Sequence, residues 1–125
     1  MYAGGVKGLK TTVKALQENT KLIIVTVGLA DVINNENTSN IKKSIERQVP
    51  DRIMKDTTIF HLRGGIDYHK LNFMHKTMMT ILYNKAKNLP EEKKDAETRA
   101  MIETFNKAVD FTDYNALTPI MKAIQ

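Results

Sequence analysis

Lys21-Leu22-Ile23-Ile24-Val25-Thr26-Val27-Gly28 is the stretch that decides the fold. It is short, β-branched and almost continuously apolar, the pattern of a strand buried on both faces in a parallel sheet. On its amino-terminal side, Val6, Leu9, Val13 and Leu16 recur at spacings of three and four. That is an amphipathic helix, with Lys7, Lys10 and Lys14 on its other faces and Asn19-Thr20 as its stop. On the carboxyl side, residues 29–37 read as an asparagine-rich loop. Thr38 or Ser39 then caps a helix through Arg47 that carries Ile41 and Ile45 on one face. Pro50-Asp51 ends it.

Thr57-Thr58-Ile59-Phe60-His61-Leu62 reads as a second strand, and Arg63-Gly64-Gly65 as a turn. Asn72 is placed to cap a long helix from Phe73 to about Lys87. Pro90 suits the first position of another helix, with Glu91 and Glu92 in its first turn. Met101, Ile102, Phe105 and Val109 are its expected buried face. Asp110-Phe111-Thr112-Asp113 is a break, with Thr112 or Asp113 as cap for a last helix bearing Leu117, Ile120, Met121 and Ile124.

Strands alternating with helices imply an α/β fold, a parallel sheet with flanking helices. Only two strands are legible, and a two-stranded sheet is a poor independent core. Leaving Leu22, Ile23, Ile24, Val25 and Val27 wet forfeits roughly 7–15 kcal/mol, at ~1.5–3 kcal/mol each. That rivals the whole stability of a typical domain, ~5–15 kcal/mol. The sequence therefore reads as one truncated domain, residues 1–125, or as a chain whose sheet another copy completes. An exposed apolar strand edge invites pairing, so a homo-oligomer is expected.

The 125 residues suffice for one domain, and the apolar fraction of 42% fits a packed core. A net charge of +5 suits an anionic partner without choosing among a phosphate-bearing cofactor, nucleic acid and a membrane surface. There is no cysteine, which excludes disulfides, thiolate metal sites and cysteine nucleophiles. No apolar run approaches the ~18 residues of a membrane span. The first ten residues lack a signal peptide's apolar core, so the expected location is cytoplasmic.

Three stretches taken together resemble the flavodoxin-domain proteins related to the menaquinone-dependent protoporphyrinogen oxidase of bacteria. They are Tyr2-Ala3-Gly4-Gly5 before a helix, the strand end Val27-Gly28-Leu29, and Phe60-His61-Leu62-Arg63-Gly64-Gly65-Ile66-Asp67-Tyr68. A basic, Met-rich helix, an acidic stretch and Val109-Asp110-Phe111-Thr112-Asp113 follow in the same order. The resemblance implies a flavodoxin-like parallel sheet with FMN at the carboxyl ends of the strands. It makes residues 22–27 the fourth strand and residues 58–62 the fifth. The first three strands, with the Ser/Thr/Gly-rich phosphate loop, have no counterpart here. The implied function is FMN-dependent electron transfer by a flavodoxin-type oxidoreductase, linked to porphyrinogen oxidation or a quinone through a redox partner. The implied ring contacts are Tyr2, Ala3, Gly4, Gly5, Gly28 and Leu29. Arg63, Gly64, Gly65 and Tyr68 are weaker candidates for substrate or partner contact.

Each candidate also has a plainer role. Tyr2 can stack on a flavin or simply end the chain. Gly4, Gly5 and Gly28 can free backbone for a ligand or make turns. Arg63 can meet a carboxylate or quinone, and an ion pair with Asp67 or Asp31 is the preferred alternative. His61, His69 and His75 have no metal-ligand spacing, so no metal site is expected. Residues 70–87 carry Lys70, Lys76, Lys85 and Lys87 without an acid, beside Phe73, Met74, Met78, Ile81 and Leu82. This is a core-facing amphipathic helix or one that docks on a membrane surface or partner, peripheral to the inner membrane face. The rival to the flavoprotein reading is a cofactor-free, basic helical interaction module that self-associates. Nucleic acid is disfavoured as a partner, since no recognised binding motif is present.

Overall fold

The computed structural model describes residues 6–125. Along the chain run α1 (Leu9–Lys14), β1 (Ile23–Gly28), α2 (Asn35–Glu46) and α3 (Asp51–Met54). Then come β2 (Thr58–Arg63), β3 (Gly65–Asp67), α4 (Phe73–Lys87), α5 (Ala96–Thr104), β4 (Ala108–Asp110) and α6 (Thr118–Ile124). The protein is α/β. Its centre is a parallel pair, β1 on β2, flanked by helices, with Ile23 opposite Thr58 and Gly28 opposite Arg63.

One face of this pair is covered. Val13 of α1, Ile45 of α2 and Val49 are buried together, and Leu22, Ile24, Ile41, Ile53, Met54 and Ile59 pack against them. Ile24 and Ile59 are register partners, so the alternation of strand side chains sends both to the same side. The expectation of a strand buried on both faces is corrected here. Val25 and Val27, on the other side of the pleat, are 42% and 68% exposed. The reason is topological: α1, α2 and α3 all deliver their apolar residues to the Ile24 face.

Local signals explain the element ends. Gly8, at φ +86°, turns the chain into α1, which is shorter than the apolar spacing of residues 6–16 predicts. Asn34, rather than Thr38 or Ser39, caps α2 by accepting from the Asn37 N–H, so the last third of the expected asparagine loop is helix. Thr38 lies inside that helix, its hydroxyl bonded back to the Asn34 and Asn35 carbonyls. Asn72 caps α4 through the His75 N–H, as expected. Pro90 opens only a short 3₁₀ turn, and Asp95 caps the separate α5 by accepting from Thr98. Asp113 accepts from Asn115 before a further 3₁₀ turn at Tyr114–Leu117. Of the last helix's four apolar residues only Ile120 is buried.

A second sheet, antiparallel, pairs β3 with β4. Arg63-Gly64-Gly65 is therefore not a turn. Arg63 closes β2, Gly64 is the joint and Gly65 opens β3. Val109 belongs to β4, not to a helix face. Gly65 is required there, because a Cβ would lie 2.5 Å from the Val109 carbonyl oxygen and 3.0 Å from the Asp110 Cα. Beside this sheet, Tyr68 meets Phe105 edge-on with centroids 5.4 Å apart. Phe105 in turn stacks on Tyr83 at 4.0 Å, which joins α4 to the end of α5.

Candidate functional site

The carboxyl ends of parallel strands are where α/β proteins place their ligands. Here β1 ends in Gly28 and β2 in Arg63, in register. The Gly64 N–H donates to the Gly28 carbonyl at 2.8 Å, and the Phe111 N–H donates to the Gly64 carbonyl at 3.2 Å. Arg63 Nε donates to the Leu29 carbonyl at 2.8 Å. Its guanidinium lies over the Phe111 ring, 3.6 Å from the centroid, a cation–π contact. A Cβ on Gly64 would lie 2.9 Å from Val27 Cγ1, so the exposed Val27 side chain would have to shift to admit one.

Gly28, Leu29, Arg63 and Gly64 thus meet at one rim, with Gly65 leaving it on β3. Arg63 takes a carbonyl and a ring as partners. The carboxylates expected beside it are engaged locally, Asp31 with the Ile33 N–H and Asp67 with Lys70 and the His69 N–H. Tyr68 is not on the rim. It is 3% exposed, and its hydroxyl has no hydrogen-bond partner among the described residues. Burial raises its pKa. The expected contacts at Tyr2, Ala3, Gly4 and Gly5 lie outside the described residues. Phe111 is the rim residue that sequence reasoning missed as a site. An aromatic two residues before an Asp cap reads as loop, and only the fold brings it under Arg63.

Behind the rim lies a small cavity of about 50 Å³, lined by Thr26, Asn37, His61 and Glu97 among others. It is far smaller than the ~300–1,000 Å³ of ligand pockets, so a flat ligand would rest on the rim, not in the cavity. His61 Nδ1 is 2.7 Å from the Thr26 hydroxyl, and burial lowers the imidazole pKa. The buried Asn37 side chain donates to the Asp31 carbonyl, which fixes the loop after β1. A more open groove of about 610 Å³ runs past the start of β2 and carries Lys42, Lys55, Glu46 and Asp51. Its mixed charges select no ligand of either sign.

Among the described residues no three His, Cys, Asp or Glu side chains are grouped to hold a metal ion, and no helix is long and apolar enough to cross a membrane. Set against known proteins, this chain matches no family model, no curated protein and no solved structure.

Proposed function

We propose that this chain belongs to a flavodoxin-type electron-transfer domain and that its rim receives the flat ring of FMN. The observation that carries the reading is the in-register ending of β1 and β2 on Gly28 and Arg63, with Leu29 held to Arg63. Gly28 leaves the backbone open beside the ring edge. Arg63 uses Nε on the Leu29 carbonyl and turns its remaining N–H donors to a ring carbonyl, a quinone or a substrate carboxylate. The flavin supplies the redox chemistry, and the protein supplies position and charge. Porphyrinogen oxidation or quinone reduction through a redox partner is the reaction proposed for the complete domain.

Titration of FMN with the purified chain, followed by flavin fluorescence, tests this. Saturable quenching at micromolar concentration is expected. Arg63→Ala should weaken it about tenfold, the loss of one charge-assisted hydrogen bond of ~1.5 kcal/mol. A folded chain that leaves the fluorescence unchanged overturns the reading for this chain. The second reading, an interaction module, is favoured by a different observation, the exposed apolar side chains of α4.

A further inference from the structure

Among the described residues, two of the apolar surfaces left uncovered are of complementary kinds. The first is the outer face of the β1–β2 pair, where Val25 and Val27 are 42% and 68% exposed. The second is a stripe on α4. Met74, Met78, Ile81 and Leu82 stand at i, i+4, i+7 and i+8, on one side of a helix of 3.6 residues per turn. They are 76%, 42%, 52% and 36% exposed, and Phe73, 85% exposed, extends the patch at its start. Tyr83 and Ala86 point to the other side, where Tyr83 stacks on Phe105 and Ala86 is buried. That packing turns the stripe away from the chain's own body.

We infer that these surfaces dock reciprocally between two copies of the chain, α4 of each lying on the open β1–β2 face of the other. The shapes match in kind and size. Two strands ~4.8 Å apart make a strip about one helix diameter, ~10 Å, across. The stripe spans ~12 Å of helix, within the ~20 Å length of a six-residue strand. A two-fold axis repeats the contact, so every copy contributes both surfaces. The exposed apolar side chains then bury roughly 700 Å² per copy, about 1,400 Å² in all, within the ~1,200–2,000 Å² of stable interfaces.

Charge separates this occupant from a lipid surface. Each copy carries +5, and α4 bears Lys76, Lys85 and Lys87. Two such copies repel at long range, so added salt screens the repulsion and tightens the dimer. Binding of the same helix to anionic lipid weakens with salt.

Sedimentation of the whole chain at micromolar concentration tests the inference. A dimer that tightens as salt is raised is expected. Val27→Glu on the sheet and Ile81→Lys on α4, both at exposed positions, should each weaken it at least tenfold. Their equimolar mixture should dimerise again. In the mixed pair one contact is unaltered on both sides, and the other sets an introduced carboxylate against an introduced ammonium. Circular dichroism checks that each variant is folded, and Met74→Lys replaces Ile81→Lys if the helical signal falls. A monomeric wild type, a dimer indifferent to both substitutions, or a mixture that stays monomeric overturns the inference. So does a chain that is monomeric alone and binds phosphatidylserine vesicles through α4.

Discussion

His61 carries a ring that the fold prefers neutral, because burial lowers its pKa below 6.5. The sign follows from linkage. The unfolded chain takes up the proton first as pH falls, so stability is fullest above 6.5 and declines as pH drops through the lowered folded value. Urea midpoints measured from pH 7.5 to 5 should fall for the wild type and fall less for His61→Gln. Equal slopes would show that His61 does not report the transition. Tyr68 makes the opposite kind of case. Its hydroxyl is buried without a partner among the described residues, and such a group costs ~1–3 kcal/mol of desolvation. Tyr68→Phe keeps the ring against Phe105 and should raise stability by about 1 kcal/mol in thermal or urea unfolding. A loss of stability would mean that the hydroxyl has a partner. Neither residue's situation is legible in the sequence: alternation within β2 does not say which side of His61 is covered, and Tyr68 lies in a short 3₁₀ turn after β3, where no periodicity marks a buried side.

At the scale of elements, caps were the most readable feature where one candidate stood alone. Asn72 before Phe73 is such a case, and the structure has its side chain 2.8 Å from the His75 N–H. Asn72→Ala should cost about 0.5–2 kcal/mol and lower helical ellipticity in the same melt. An unchanged midpoint would indicate that α4 is held by Tyr83 and Ala86 alone. Where several cap residues crowd together the sequence is ambiguous. Asn34, Thr38 and Ser39 are all chemically able, and the choice of Asn34 depends on Asn37 reaching the Asp31 carbonyl from the first turn. The three-residue strands β3 and β4 were not legible at all. Their pairing is long-range, and Gly64-Gly65 carries the local signature of a turn.

For the molecule as a whole, the parallel pair and its helices were readable from apolar patterning, and so was the shortage of cover for the sheet. The rim was readable in part. Gly28, Leu29, Arg63 and Gly64 do converge, but Phe111 enters from residues far along the chain and Tyr68 turns inward. The core rests on few side chains. Ile45 is 0% exposed between the sheet and α1. Ile45→Ala should therefore cost about 2–5 kcal/mol, a large share of the stability of a domain this size. Denaturant unfolding followed by circular dichroism checks it, and a loss below 1 kcal/mol would mean that the site collapses around the change.

The parallel pairing also sets a timetable. Every rung of the β1–β2 ladder joins residues 35 apart, as Thr26 and His61 are. Closing so long a loop costs chain entropy before any ladder bond repays it, so the sheet is a late event on the folding path. The segment that can shorten the search is α2, which lies between the strands and offers Ile45 to both of them. In stopped-flow refolding, Ile45→Ala should slow the folding limb and leave the unfolding limb nearly unchanged, the signature of a side chain already seated at the barrier. If only unfolding accelerates, the strands find each other first and α2 settles onto a sheet already made.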